Sequence, residues 1–234
     1  MALPRIDTPT YQTNLPSTGQ SVQFRPFLVK EQKIIMMAQE SGDEKQVVRA
    51  LSELVSACTF NKIDVANAPT FDVEFLFLKI RSKSVGETVD INIVCPDDQV
   101  TQVNTKVNLE DIKIQTNSGH NNIIPLTDTI KIVFKYPTML DVSQIGDTQS
   151  SDGMFKLLYR CIYEIHYGDD VYNKVDISDK DIEEFIDQFT GEQFEKVTDF
   201  FQTMPKLSHK VSVLNPKTKV TNEVLLEGLQ SFLG

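Results

Sequence analysis

Apolar and polar positions alternate with two different periods along the chain, and the first stretch has the pattern of strands. Residues 10–15 and 21–25 each have the composition of a short strand. Between them, residues 16–19 read Pro-Ser-Thr-Gly, which is typical of a turn. The pattern therefore predicts an N-terminal β-hairpin.

Three helices are predicted next, over residues 29–40, 43–58 and about 71–83. The second has apolar residues at the spacing of one buried helix face: Val47, Val48, Leu51, Leu54, Val55 and Cys58. The third is apolar nearly all round, so we expect it to be central. Gly86 is expected to end it.

From residue 88 to 136 the apolar period changes to two, which is the period of strands with one face inside and one outside. Turn signals lie at Pro96-Asp97-Asp98 and Asn117-Ser118-Gly119. This stretch predicts a small antiparallel sheet.

Helical spacing returns after Pro137. One stripe comprises Met154, Leu157, Leu158, Cys161, Ile162 and Ile165, and two further helices are predicted to begin at the caps Ser178 and Thr190. Residues 209–214 and 220–226 are strand-like, and Asn215-Pro216-Lys217-Thr218 forms a turn between them. A terminal β-hairpin is therefore expected.

These elements predict the α+β class, with helices and sheet segregated along the chain. The expected regions are an N-terminal hairpin with helices over 1–87, an antiparallel β insertion over 88–137, and an acidic helical region with a terminal β-hairpin over 138–234. One or two compact units would hold them.

Charge narrows the classes of partner. The net charge is −10, and residues 141–204 alone supply it, with five Lys or Arg against fifteen Asp or Glu. Nucleic acids and anionic membranes require clustered cations, which are missing, so neither is expected as a partner. Two readings of the acidic block stay open, a solvated helical face and a docking surface for a basic partner.

The candidate chemistry is sparse. Cys58 and Cys161 lie on apolar helix stripes and are expected to be buried, and none of the three histidines pairs with another ligand at metal spacing. Cys95 begins a turn, Cys95-Pro96-Asp97-Asp98, that has the shape of a zinc knuckle but holds Asp98 where a second Cys is needed. No metal and no cofactor is therefore expected.

Catalytic signatures are also missing from the sequence. It contains no glycine-rich phosphate loop, nucleophile elbow or His-Glu-x-x-His motif. We expect no enzyme and no catalytic residues, although a small hydrolase remains a competing class.

Several runs, in order along nearly the whole chain, resemble one family. The runs are Leu15–Gly19, Phe24–Glu31, Glu40–Asp43, Phe75–Leu78, Arg81–Glu87, Phe200–Leu207 and Leu226–Phe232. Together they resemble the baseplate hub assembly family of T-even-type contractile bacteriophages. Some members of that family have Cys-Pro-x-Cys knuckles in the two turns noted above, and here only Cys95 is kept.

The resemblance implies a structural hub component of the virion, made in the host cytoplasm, or alternatively an assembly chaperone or scaffold absent from the mature virion. Its implied partners are other baseplate hub, wedge or tail-tube proteins, and also copies of the same chain. We expect the N-terminal hairpin to add a strand to a partner sheet and the apolar C-terminus to anchor in a groove. Packing of that tail on its own domain is the alternative. The candidate partner-binding residues are Phe24, Arg25, Phe27, Leu229, Phe232 and Leu233.

Overall fold

The computed structural model describes residues 6–148 and 150–232 and confirms the α+β class. Its strands, in chain order, are β1 Tyr11–Asn14, β2 Ser21–Phe24, β3 Thr88–Val94, β4 Gln102–Asn108, β5 Lys113–Gln115, β6 Ile123–Pro125, β7 Ile130–Phe134, β8 Ile162–Tyr167, β9 Asp170–Asn173, β10 Lys206–Leu214 and β11 Thr221–Glu227. Its α-helices are α1 Val29–Ser41, α2 Glu44–Cys58, α3 Thr70–Val85, α4 Met139–Ile145, α5 Ser151–Cys161, α6 Asp179–Ile186 and α7 Gly191–Thr203. Short 3-10 helices cover Lys174–Asp176 and Leu229–Phe232.

The chain folds into two compact units. Unit 1 combines the chain up to Gln115 with the chain from Lys206, and unit 2 is Thr116–Pro205. This division differs from the predicted regions, because β5 pairs with β10, which lies about ninety residues further along the chain. The predicted regions follow the type of secondary structure, whereas the units follow strand pairing and packing.

Unit 1 is built around α3. The interior faces of α2 and α3 bring together Val55, Cys58, Val73, Leu76 and Ile80, all fully or almost fully buried. The predicted stripe of α2 is therefore confirmed along its C-terminal half. Asp43 caps this helix, accepting a hydrogen bond from the Lys45 amide (2.9 Å).

The sheets that the structure describes in unit 1 are all antiparallel. The predicted N-terminal hairpin is confirmed as β1–β2, and the predicted terminal hairpin as β10–β11. A further hairpin is β3–β4, and β5 adds to β10 so that the third sheet has the order β11-β10-β5. The alternating burial of β3 places Val89, Ile91 and Ile93 inside, as the period of two predicts.

Unit 2 is a four-stranded antiparallel sheet with the order β6-β7-β8-β9, covered on one face by helices. Its core joins residues of the sheet to residues of α5, α6 and α7: Leu126, Ile132, Phe134, Leu158, Cys161, Ile162, Ile165, Ile182, Ile186, Val197 and Phe200. The capping box of α7 is confirmed, since Thr190 and Gln193 exchange hydrogen bonds of 2.9 and 3.3 Å.

One helix was predicted too long. The stripe expected to run through Ile165 ends as α5 at Cys161, and the next residues form β8. Ile162 and Ile165 are buried as predicted, but β8 buries them by pairing with β7. Apolar residues three apart, such as Ile162 and Ile165, normally indicate a helix. Here a bulge in the β7–β8 pairing at Val133/Phe134 shifts the strand alternation, so that two strand residues three apart face the same side.

Candidate functional site

Five of the six predicted partner-binding residues are described by the structure, and they lie in unit 1 with most of their surface buried. Phe24 is buried, and Arg25 and Phe27 are half-buried. Leu229 and Phe232 are buried in the last 3-10 helix. Leu233 lies outside the described residues. Binding of a partner by these side chains stays a prediction.

Arg25 links the N-terminal hairpin to the helices that follow it. Its guanidinium contacts the carboxylate of Glu31 (3.0 Å), and its amide donates to the Cys58 carbonyl at the end of α2 (3.0 Å). Glu31 also accepts the Leu28 amide (2.7 Å) and so closes the first turn of α1. Burial opposes ionisation of Glu31, but the bonds from Arg25 and Leu28 outweigh it and lower the pKa of the carboxyl.

The helix α1 presents an apolar face that the sequence reasoning missed. Only Glu31 and Ala38 of this helix are buried. Val29, Lys33, Met36 and Met37 stand at positions i, i+4, i+7 and i+8, so they share one side, which we call the α1 face. Its apolar members are 67% (Val29), 50% (Met36) and 69% (Met37) exposed. The available signal was the run Ile34-Ile35-Met36-Met37, since four consecutive apolar residues in a helix cannot all point inwards.

Three turns of unit 1 have the same backbone conformation and hydrogen bond. Each has Pro in the second position and a left-handed residue in the fifth, and the fifth amide donates to the first carbonyl. The bonds are Gly19 N to Leu15 O (2.8 Å), Gln99 N to Cys95 O (2.8 Å) and Lys219 N to Asn215 O (3.0 Å). The first residue of each turn is buried. The sequence predicts that the turns beginning at Cys95 and Asn215 have the same shape, and their backbones confirm this.

The second and third turns meet through Asp97, in an arrangement that we call the Asp97 clasp. Asn215 and Asn222 each donate a side-chain amide hydrogen to the carboxylate (3.0 Å), and Thr218 donates its hydroxyl. The Asp97 amide donates in return to Asn222 (3.1 Å). The bonds from Thr218 and Asn215 lower the pKa of Asp97. Hydrogen bonds to one carboxylate thus join the second and third turns.

Asn215→Ala is expected to destabilise unit 1 by about 2 kcal/mol. The buried side chain of Asn215 donates to Asp97 and accepts the Lys217 amide (2.9 Å), and buried polar groups that lose partners cost about 1–3 kcal/mol. Urea unfolding followed by circular dichroism measures the change. The matched control is Asn104→Ala, which removes an exposed Asn–Asn contact (3.0 Å) and should change stability by less than about 0.5 kcal/mol. Equal effects of the two variants would contradict a stabilising clasp.

The cysteines are unsuited to nucleophilic chemistry. All three are buried and free. Burial raises the pKa of the Cys58 thiol to about 11 and that of Cys161 to about 12, so the thiolate is scarce at neutral pH. Cys95 also has a raised pKa, because of burial and of the nearby carboxylates of Asp97 and Asp98.

Two of the three histidines, His120 and His166, take part in ring packing or local hydrogen bonding. His120 stacks on Tyr136, with ring centroids 5.6 Å apart, and its Nδ1 lies 3.0 Å from the Thr203 hydroxyl. His166 contacts Glu164 (2.9 Å) within β8. Within residues 6–148 and 150–232, no group of three or more His, Cys, Asp or Glu could hold a metal ion.

Hydropathy adds one further observation about the helices. In the part of the chain that the structure describes, none of them combines the length and the apolar character that crossing a bilayer requires.

Comparison with known proteins gives one match. The family model described as T4 bacteriophage base plate protein matches residues 8–234. Neither a curated protein nor a solved structure matches the chain. Because the match covers nearly the whole sequence, the chain belongs to the T4 bacteriophage base plate protein family, and its place is the phage tail.

Proposed function

We propose that this chain is a structural component of the baseplate hub, which acts in tail assembly through protein–protein interfaces and catalyses no reaction. The α1 face carries the proposal. It exposes three large apolar side chains on one side of a helix, whereas single exposed apolar residues scattered over a surface need no explanation. Family membership supports a role in the baseplate, and assignment to the hub is our inference from the sequence.

The composition of the α1 face suits an interface with protein. Met36 and Met37 have flexible, polarizable side chains that adapt to a partner, and methionine is enriched in the centres of interfaces. Lys33 lies within the face and can form part of a polar rim. Next to it, Leu28 and Ile34 extend the exposed apolar surface. Other hub, wedge or tail-tube proteins are the proposed partners.

The buried chemistry supports a role without catalysis. Burial keeps the thiols of Cys58 and Cys161 protonated at neutral pH. The carboxylates of Asp97 and Glu31 are engaged in hydrogen bonds that fix turns and a helix start. Burial or hydrogen bonding thus accounts for the position of each of these groups.

Quantitative mass spectrometry of purified tails tests the proposal. We expect the chain at a fixed whole-number ratio to known hub proteins, because a structural component stays in the finished particle. Tails assembled without the chain should lack a complete hub in electron micrographs. If complete tails contain none of the chain although its absence during infection blocks assembly, it acts as a departing scaffold and the proposal is wrong.

A further inference from the structure

The sheet of unit 2 has two outer strands, β6 and β9, and they differ in what they offer. An outer strand presents unpaired N–H and C=O groups along its free side. Such groups form a template on which another chain can add a strand, so proteins commonly block them with proline, charge or side-chain hydrogen bonds.

On the free side of β6, no backbone N–H is available to an added strand. The Phe134 amide donates to the Asn122 carbonyl (2.8 Å), so antiparallel alternation turns the backbone groups of Ile123 and Pro125 away from β7. Pro125 has no N–H. The N–H of Ile123 already donates to the Asn121 side chain (3.0 Å). This edge of the sheet therefore lacks the free N–H donors that an added strand would need.

The free side of β9 is open. The Gly168 amide donates to the Thr129 carbonyl (2.9 Å), so Tyr167 directs its own backbone groups towards β9. Alternation then turns the backbone groups of Val171 and Asn173 away from β8. Among residues 6–148 and 150–232, the structure gives these two N–H groups no acceptor. The strand holds no proline, lysine or bulge that would block pairing, and its single charged residue, Asp170, opposes an acidic strand but not a basic one.

The side chains of β9 supply surface for an added strand. All four residues of β9 are exposed, and Val171 and Tyr172 keep 50% and 48% of their surface in solvent. Successive residues point to opposite faces, so Tyr172 lies on one face of the sheet and Val171 on the other. An added strand would place apolar side chains beside Val171 and cations over the ring of Tyr172.

Charge decides which kind of strand fits. Asp169, Asp170 and Asp176 lie exposed in and beside β9. The nearest cation in sequence, Lys174, is paired with Asp179. Residues 141–204, which contain this edge, also supply the whole net charge of the chain. A cationic segment is attracted here and an acidic one is repelled.

We infer that β9 takes an extended segment of another protein, with alternating basic and apolar residues, as a fifth strand of the unit 2 sheet. This goes beyond membership of a hub, because it assigns a second surface, its binding mode and the chemistry of the segment. It also turns the acidic block from a solvated face into a recognition surface.

A peptide experiment on the purified full chain tests this inference. The probe is an end-capped octapeptide of alternating lysine and valine, and its counterpart replaces lysine by glutamate. We expect the lysine peptide to bind and to protect the Val171 and Asn173 amides from hydrogen exchange. Val171→Pro removes the outward donor and should weaken binding about tenfold or more, whereas Val171→Ile, which keeps the N–H and the apolar side chain, should bind as the wild type does.

A charge variant keeps the test decisive if Val171→Pro disturbs unit 2. Asp169→Asn/Asp170→Asn leaves the backbone pairing to β8 intact and should weaken binding of the lysine peptide. Equal binding of the glutamate peptide, or protection elsewhere than β9, would overturn the inference. So would a dimer of the free chain in which β9 pairs with β9. None of these outcomes bears on whether the chain resides in tails, which the mass spectrometry above decides separately.

Discussion

Tails assembled with a Val29→Glu/Met37→Glu chain are expected to incorporate far less of it than tails assembled with the wild type. One anchoring side chain in an interface is worth about 2 kcal/mol, which corresponds to about thirtyfold in affinity. The two glutamates would also place unpaired charges against an apolar partner surface. Immunoblots of purified tails, normalised to another baseplate protein, measure the incorporation.

The fold should tolerate these two changes, because both positions are exposed and glutamate is a good helix former. The unfolding midpoint of the purified chain is therefore expected to stay close to that of the wild type. The matched control is Ile6→Glu/Val100→Glu, which changes two exposed apolar residues that lie outside the α1 face. Equal loss of incorporation with both pairs would show that surface charge matters and the α1 face does not.

Phe200→Ala is expected to destabilise unit 2 by about 3–5 kcal/mol, the usual cost of removing a buried aromatic ring. Phe200 is almost fully buried and lies at the centre of an aromatic cluster. Its ring centroid is 4.9 Å from that of Phe134, 5.0 Å from Phe201 and 5.2 Å from His120. The small side chain of alanine would leave these rings without a common partner.

The measurement has to follow unit 2 by itself. The chain contains no tryptophan whose fluorescence could report on unit 2. Hydrogen exchange of the amides of β7 and β8 is therefore used to measure the local stability. Phe155→Ala is the control, because Phe155 is 40% exposed and its ring contacts only the half-buried Phe194 (5.4 Å) and Tyr159 (6.3 Å) among the described residues. Similar acceleration of exchange by the two variants would contradict the central place given to Phe200.

Local signals in the sequence predicted most helix starts and turns. Ser178 and Thr190 cap α6 and α7 as expected, because capping depends on residues only three positions apart. The hairpins were predictable for the same reason, since each needs one turn and two neighbouring strands. The short helix α4 was missed, although Thr138 and Asp141 form a capping box at its start.

Pairings between distant segments could not be predicted. The addition of β5 to β10 joins Ile114 to Leu207, and no local pattern specifies such a partner. The Asp97 clasp could not be predicted for the same reason. Both turns could be identified from Cys95 and Asn215, but their meeting depends on the packing of unit 1, which brings together residues more than a hundred positions apart.

The surfaces proposed to bind partners were the hardest feature to predict from the sequence. The sequence predicts that Phe24 binds a partner with the N-terminal hairpin and Phe232 with the apolar C-terminus, and the structure buries both side chains. Met37 and Val171 are exposed, although apolar residues at such positions usually signal a core. Exposure depends on what packs against a residue, and that information is not local.

Photo-crosslinking from position 37 during tail assembly tests most directly whether this chain works by presenting a surface. Met37 would be replaced by a benzophenone-bearing amino acid, and the same residue placed at Val100 would serve as the reference. We predict a covalent adduct between position 37 and another baseplate protein in purified tails, and none from position 100. Tails that contain the chain but give no adduct from position 37 would contradict the account.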